Sequence, residues 1–353
     1  PPPPHTPPPP PDIYTQVNSS AASDVYKRQI RANIKRFYIY FVLALVVVVF
    51  SVVRLDEVNW FERGHFLNPN NIINLLRIAV PIITVSGAFT FLMIAEYIDL
   101  SIGSAMSLAS VIFAWMILNG FNLPMAALAT IFAGLIMGSI NGLLVMKLNI
   151  TPVIATLITL SLYKGIALLI VPDGTSSIKS IGDLKMPAWI NDYAREDVLF
   201  GLPMAFFVAI AIVIVLIVLQ RRTVIGKYSA AIGGNKTAAE LSGINPVYWV
   251  SILYIIVGIS AAMAGMARAS YMSLGDPLYS DGMELWVIIA VLLGGTKFTG
   301  GEGQVEKTVI GAIIIIVVTV GMLTVIPAYW QTVALGAVLL IAVVINYQLV
   351  GES

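Results

Sequence analysis

Long apolar runs constrain this sequence more than any other feature. A helix needs about 20 apolar residues to cross a bilayer, because its backbone N–H and C=O groups must be satisfied within the helix. Hydrophobic residues make up 58% of the 353 residues and charged residues only 11%, against about 25% in soluble domains. We therefore predict an all-α membrane protein with about ten transmembrane helices. The predicted spans lie at 37–53, 78–94, 102–118, 124–146, 153–171, 199–219, 247–267, 285–293, 309–325 and 332–349.

Three local patterns refine this architecture. Residues 1–29 begin with PPPPHTPPPPPD, which cannot form a helix, so we expect a disordered or non-native leader before a transmembrane domain at 30–353. The fourth run carries Gly134, Gly138 and Gly142 on one helical face. The segment NGLLVMKLNITP at 141–152 resembles VGMLTVIP at 320–327, and a span follows each. Such half-motifs indicate an internal duplication, which many transporters have.

The basic residues predict the orientation of the spans, because Lys and Arg are enriched in cytoplasmic loops. With both termini in the cytoplasm, twelve of the 20 Lys and Arg residues lie on the cytoplasmic side, and Lys164 lies inside a span. The other seven lie on the outer side, at Arg54, Arg63, Arg77, Lys179, Lys185, Arg195 and Arg268. We therefore expect cytoplasmic N- and C-termini and an outward-facing polar segment at 172–197.

Composition argues against several classes of function. The chain has no cysteine, and its two histidines, His5 and His65, are far apart, so we expect neither disulfides nor a metal centre. A net charge of +1 provides no global field for nucleic acid. The sequence contains neither the G-x-x-x-x-G-K-[ST] phosphate-binding motif nor a paired base and nucleophile. We expect a transport subunit without catalytic residues, without a cofactor and without its own ATPase activity.

A short polar connection between the sixth and seventh spans, at 220–246, carries helix signals of its own. Asn235 is suited to cap a helix at 236–241 (KTAAEL), and Gly243 is suited to end it in the left-handed conformation. Ala238 and Ala239 leave one side of this helix without bulk. Such a side fits a groove on another protein, although an amphipathic connector on the membrane surface explains the same residues.

Two further polar stretches interrupt the apolar runs. The first is EYIDLSIGS at 96–104, in which Asp99 and Ser101 can cap the third span or line a path through the membrane. The second ends in the glycine-rich sequence GGTKFTGGEG at 294–303, which permits tight turns and close approach of helices.

These three stretches resemble the simple-sugar permeases of ABC importers, the ribose, xylose and galactose type. Residues 226–244 match the pattern G-[RK]-Y-x-x-A-I-G-G-N-x-x-A-A-x-L-S-G-I, and 96–104 resemble G-G-x-D-L-S-V-G-S. Residues 284–303 resemble E-L-x-x-I-A-A-V-x-x-G-G-T-x-x-x-G-G-x-G. This chain departs from the family at Glu96 and Tyr97, where two glycines are usual. The resemblance extends from about residue 70 to about residue 346.

The resemblance implies partners as well as a fold. It implies a bacterial cytoplasmic (inner) membrane protein that forms a pore with a second permease subunit, identical or different. A periplasmic or extracellular solute-binding protein would deliver a monosaccharide, and a separate ATPase subunit would bind ATP. The implied ATPase-coupling residues are Gly233, Gly234, Asn235, Ala238, Ala239, Leu241, Ser242 and Gly243. The expected translocation path includes Asp99, Ser101, Asn141 and Glu284.

Other transport functions are compatible with the same residues. An ABC permease for another small polar solute, such as a nucleoside, an autoinducer-like sugar or a branched-chain amino acid, would share the pattern. An ATP-independent secondary transporter would need ionisable groups inside its spans for ion coupling. Lys164 is the clearest candidate for such a group.

Single cysteines at two positions test the predicted orientation, since the chain has no cysteine of its own. In intact cells, an impermeant thiol reagent should label Lys185→Cys from outside and leave Lys236→Cys unlabelled. Permeabilised cells should show labelling at both positions. Labelling of both in intact cells would contradict the ten-span arrangement.

Overall fold

Helices make up nearly all of the computed structural model, which describes residues 38–51, 66–171, 177, 180–181, 184–196, 198–323 and isolated positions between 330 and 340. In these residues the helices are α1 (Tyr38–Ser51), α2 (Pro69–Ile94), α3 (Ile102–Leu118), α4 (Leu123–Gly142), α5 (Pro152–Ile170), α6 (Trp189–Arg195), α7 (Met204–Arg222), α8 (Val224–Gly234), α9 (Lys236–Leu241), α10 (Pro246–Met272), α11 (Met283–Leu293) and α12 (Val305–Leu323). A π-helical turn at Leu143–Lys147 continues α4. An antiparallel hairpin, β1 (Ser180–Ile181) and β2 (Leu184–Lys185), precedes α6.

The observed helices confirm the predicted architecture in outline. By length and composition, six of them can cross a membrane: α2, α4 with its π-helical turn, α5, α7, α10 and α12. The shorter apolar helices α1, α3 and α11 account for the other predicted spans up to residue 325. Three predicted features lie wholly or partly outside the described residues: the leader at 1–29, most of the span at 332–349 and part of the half-motif at 320–327. The internal duplication therefore stays a prediction.

Asparagine caps start three of the long helices. Side-chain oxygens of Asn68, Asn122 and Asn245 each accept a hydrogen bond from a backbone N–H of the first turn, at 2.9–3.2 Å. Each of these helices also has a proline at one of its first two positions, where the missing N–H costs no hydrogen bond. Such a cap is worth about 1 kcal/mol. The cap at Asn68 explains why α2 begins nine residues before the apolar run predicted at 78–94.

The centre of the bundle is formed by α2 and α10. Every residue from 79 to 95 is buried, so the second half of α2 has protein on all sides. Helix α10 packs against α2, α3 and α4. By contrast, α5 and α7 present exposed apolar residues along their outer faces, such as Leu169 and Val215. These outer faces are suited to contact lipid.

The predicted glycine face of α4 packs directly against α10. A Cβ atom on Gly134 would stand 2.6 Å from the Cβ atom of Ala262, and one on Gly138 would overlap the carbonyl oxygen of Tyr254. A Cβ atom on Gly142 would stand 3.0 Å from the Cα atom of Ser251. The two backbones therefore approach more closely than other residues would allow, which is typical of helix pairs in membranes.

This contact predicts that Gly138→Leu destabilises the protein while Gly165→Leu does not. Leucine at 138 would overlap the backbone of α10, whereas a Cβ atom at 165, on α5, meets no atom within 4 Å. Overpacking of this kind costs about 1–3 kcal/mol. Thermal denaturation of the purified variants in detergent should show a lower midpoint for Gly138→Leu alone. Equal midpoints would show that the two helices separate at little cost.

Candidate coupling site and buried polar network

The connection between α7 and α10 folds into two short helices, α8 and α9. As predicted, Asn235 caps α9: its side-chain oxygen accepts a hydrogen bond from the N–H of Ala238 at 2.9 Å. Gly243 ends the helix with φ +83°, and its N–H donates to the carbonyl oxygen of Glu240 at 3.0 Å. The N–H of Ile244 donates to the carbonyl oxygen of Ala239, which completes a Schellman motif. Both ends of this two-turn helix are thus held by local hydrogen bonds.

The eight predicted coupling residues divide into an exposed set and a buried pair. Leu241 is 85% exposed although it is apolar, and it stands on the outer side of α9. The other exposed members are Gly234, Asn235, Ala238, Ser242 and Gly243. Ala239 is only 4% exposed and belongs to the main apolar core, and Gly233 is buried as well.

The burial of Ala239 corrects one expectation. We expected Ala238 and Ala239 together to present a side without bulk to another protein, and for Ala239 this is wrong. A helix of two turns is too short to be stable alone, so one of its sides packs on the bundle. The small side chain of Ala239 forms that side, and the surface left for a partner is Ala238, Leu241 and the two ends of the helix.

A close backbone contact, here called the inner clasp, ties α8 to α2 and to the glycine-rich loop. The inner clasp consists of Ile94, Gly233 and Gly301. The N–H of Gly301 donates to the carbonyl oxygen of Ile94 at 2.8 Å. A Cβ atom on Gly233 would overlap that oxygen and stand 2.8 Å from the nitrogen of Gly301. Gly233 therefore acts by allowing this approach, and not through an exposed surface.

Gln220 forms a second tie, which the sequence analysis did not single out. Its side-chain amide donates to the carbonyl oxygen of Gly303 at 3.0 Å, and its side-chain oxygen accepts from the N–H of Val305 at 2.9 Å. Both bonds join the end of α7 to the start of α12. The available signal was its position, since Gln220 is the first polar residue after the sixth apolar run.

Glu96 and Tyr97 replace the two usual glycines of the family pattern, and both lie beside the inner clasp. Glu96 has φ +67°, a left-handed conformation that costs a non-glycine residue roughly 1–2 kcal/mol. This conformation explains why glycine suits the position. Burial raises the pKa of Tyr97, and the adjacent Lys236 of α9 acts in the opposite direction. The Tyr97 ring also meets the ring of Tyr254 edge to face, with centroids 6.5 Å apart.

Three of the four predicted path residues form one buried hydrogen-bond network. An oxygen of Asp99, which is 3% exposed, accepts from the N–H and the hydroxyl of Ser101 at 2.8 and 2.6 Å. The side-chain amide of Asn141 donates to the other oxygen of Asp99 at 2.9 Å and to the Ser101 hydroxyl at 2.8 Å. The Thr159 hydroxyl donates to the side-chain oxygen of Asn141 at 2.7 Å. The network joins the α2–α3 connection to α4 and α5.

The geometry of this network corrects the predicted helix cap. Ser101 occupies the N-cap position of α3, but its side chain makes no capping bond: its hydroxyl donates to Asp99 and accepts from the Asn141 amide. Thr159 lies seven residues into α5, about 10 Å along the helix axis. The polar groups satisfy one another well inside the bundle. Their place on a translocation path stays a prediction.

Glu284, the fourth predicted path residue, lies outside this network. Its carboxylate lies against the first turn of α3, where the absence of a side chain on Gly103 leaves room for it. Lys164 forms an ion pair with Asp281 at 2.5 Å, close to the start of α11. Among the described residues, Lys164 is therefore paired and not an isolated charge inside the bundle.

A bundle whose described residues include six helices long and apolar enough to cross a membrane is typical of a multi-pass membrane protein. Residues 71–343 match the family described as "Branched-chain amino acid transport system / permease component". The chain belongs to this family and is a multi-pass inner-membrane transport protein.

Known relatives carry the names of sugar importers. The ribose import permease RbsC of Bacillus subtilis is 34% identical over 282 residues, which cover 80% of this chain and 86% of the relative. The D-allose permease AlsC of Escherichia coli is 29% identical over 310 residues, covering 87% and 90%. The fructose import permease FruF of Bifidobacterium longum is 27% identical over 300 residues, covering 84% and 83%. No solved structure matches this chain. These relatives confirm the resemblance to simple-sugar ABC permeases.

The buried network predicts a large effect of Asn141→Leu on stability. The substitution removes the amide that donates to Asp99 and leaves the Thr159 hydroxyl without its acceptor on Asn141. An unsatisfied buried polar group costs about 1–3 kcal/mol, and a charged group costs more. Asn119→Leu is the matched control, because Asn119 is exposed. Thermal denaturation should show a lower midpoint for Asn141→Leu only. Equal effects would mean that the network contributes little.

Proposed function

We propose that this chain is the permease subunit of an ABC importer that moves a monosaccharide into the cell. The observation that carries the proposal is the exposed outer side of α9, where the apolar side chain of Leu241 is 85% exposed while Ala239 packs the opposite side of the helix into the apolar core. A separate ATPase subunit, which binds the ATP, docks there. A second permease subunit completes the pore.

The charge distribution supports a cytoplasmic position for this surface. Basic residues gather at the end of the bundle that carries α8 and α9, at Lys147, Arg221, Arg222, Lys227, Lys236 and Lys297. Positive charge marks the cytoplasmic side of membrane proteins. The polar segment with the β-hairpin and α6 then lies at the opposite end, where a solute-binding protein delivers the sugar.

The hydrogen bonds suggest how ATP-driven movement passes into the spans. A displacement of α8 acts on the end of α2 and on the glycine-rich loop through the inner clasp. Gln220 carries a displacement of α7 to the start of α12. The inner clasp is a contact between backbones, with no flexible side chain at the point of closest approach. We infer that α2, α7 and α12 move together when the ATPase subunits close.

The substrate class follows from the relatives. The names of three relatives give ribose, D-allose and fructose as the sugars that they import. This chain aligns with at least 83% of the length of each of these relatives. The family description names branched-chain amino acids instead, so an amino acid is the second candidate. A secondary transporter is disfavoured, because Lys164, the clearest ionisable group inside a span, is neutralised by its ion pair with Asp281.

Leu241→Asp tests the docking surface. A charge on an 85% exposed side chain leaves the fold intact but must be desolvated when a protein groove closes over it. We expect membrane levels to be unchanged, ATP-driven uptake to fall at least tenfold and the ATPase subunit to be lost on co-purification. Leu148→Asp is the control, since Leu148 is exposed in a different connection at the same end. Normal uptake by Leu241→Asp would identify α9 as a simple connector.

Uptake by the assembled transporter in vesicles tests the substrate class separately. Labelled ribose, allose and fructose are compared with leucine, each with the cognate binding protein present. Uptake of leucine alone would replace the sugar assignment and leave the coupling role of α9 unaffected.

A further inference from the structure

An apolar cavity of about 260 Å³ lies beneath α6, at the end of the bundle opposite α8 and α9. Its volume is just below the roughly 300–1,000 Å³ typical of pockets for drug-sized ligands. Four residues of α7 line one wall, from Ala205 to Ile212, which is about 10 Å along the helix. Val80 and Met263 belong to the walls formed by α2 and α10. The cavity is therefore an elongated slot parallel to the spans.

The lining residues indicate the chemistry of the occupant. Nearly all of them are apolar, and the hydroxyls of Thr84 and Ser270 are among the few polar groups. The hydroxyls of a sugar would lose their hydrogen bonds to water there, at a cost of about 1–3 kcal/mol each. Leu123 of α4 belongs to the lining and is 43% exposed, beside other exposed apolar residues of the same helix such as Leu128. A hydrocarbon chain is compatible with these apolar walls and with the apolar surface beside them.

A narrow cleft continues the cavity toward two arginines. Val80, Ala205 and Ala267 line both spaces, and Arg77 and Arg268 line the cleft. The cleft holds about 10 Å³, room for a single oxygen-sized group. A negatively charged oxygen is the group that two guanidinium ions favour.

Arg268 has unused hydrogen-bonding capacity in this cleft. Its Nε–H is buried and has no hydrogen-bond partner among the described residues. The guanidinium lies 3.4 Å from the ring centroid of Tyr279, and Asp276 and Arg195 are the other charged groups that act on it. Arg268 lies four residues before the end of α10, and Trp189 and Tyr193 of α6 border the cavity. Tryptophan and tyrosine are typical of the level at which lipid headgroups lie.

We propose that this slot and cleft bind one anionic phospholipid of the surrounding bilayer. One acyl chain occupies the slot between α2, α4, α7 and α10, and a phosphate oxygen accepts hydrogen bonds from Arg268 in the cleft. The bound lipid fills the space beneath α6 and fixes this helix on the bundle. This site is separate from the proposed sugar path and does not depend on the substrate or on ATPase docking.

Native mass spectrometry of the full chain in detergent tests the site, with phosphatidylglycerol and phosphatidylethanolamine as probes. We expect one retained phosphatidylglycerol per chain and at least tenfold less phosphatidylethanolamine. Ala209→Phe fills the slot, and Arg268→Gln removes the charge. Each should lower phosphatidylglycerol retention at least tenfold. The controls are Ala211→Phe on the exposed side of α7 and Arg222→Gln at its far end, and both should retain the lipid.

Several results would overturn the proposal. Equal retention of the two lipids would show that the arginine cleft does not select an anionic headgroup. Unchanged retention in Ala209→Phe would show that the acyl chain does not occupy the slot. Displacement of the lipid by millimolar inorganic phosphate would show a site for free anions. The thermal midpoint of each variant is measured first. If Arg268→Gln does not fold, the headgroup comparison on the unmodified chain and Ala209→Phe still decide the outcome.

Discussion

The close approach of helix backbones is the constraint on which the rest of this structure depends. In a bilayer, the hydrophobic effect does not drive helices together, so they associate through packing and hydrogen bonds. Here the glycine face of α4 lets α10 approach to backbone contact, and α10 in turn positions α2 and α3. The same device recurs in the inner clasp, where Gly233 allows α8 to meet the end of α2. Glycine thus serves both the core of the bundle and its proposed coupling end.

The polar groups of the Asp99 network satisfy one another, which explains how an apolar bundle can contain them. Asp99 accepts three hydrogen bonds, and both ends of the Asn141 amide are used. An incomplete network of this kind lowers the stability of the fold, because buried polar groups are left unpaired. A complete network holds the helices in one particular arrangement. It holds the start of α3 in one position relative to α4 and α5. A movement of α2 during transport must therefore carry this connection with it or break several bonds at once.

The two ends of the bundle differ in chemistry. One end carries basic residues, the inner clasp and the exposed Leu241, and it is suited to a protein partner. The other end carries α6, aromatic residues and the arginine cleft, and it borders an apolar slot. Gln220 and the inner clasp join the first end to α2 and α12, which run the length of the bundle. Both ties therefore end on long helices of the bundle.

The sequence by itself determined the membrane class, the positions of most spans, the short helix at 236–241 with its caps, and the family. These properties are local, since hydropathy, capping and turn residues act within a few positions of the chain. Only the tertiary structure decided which side of α9 faces outward, and for this reason the prediction that Ala239 is exposed was wrong. It decided as well that Gln220 reaches the start of α12, a contact that the sequence analysis missed. It also decided that Asp99, Ser101 and Asn141 meet, while Glu284 lies apart. Such contacts join residues distant in sequence, and helix packing sets them in ways that no local pattern records.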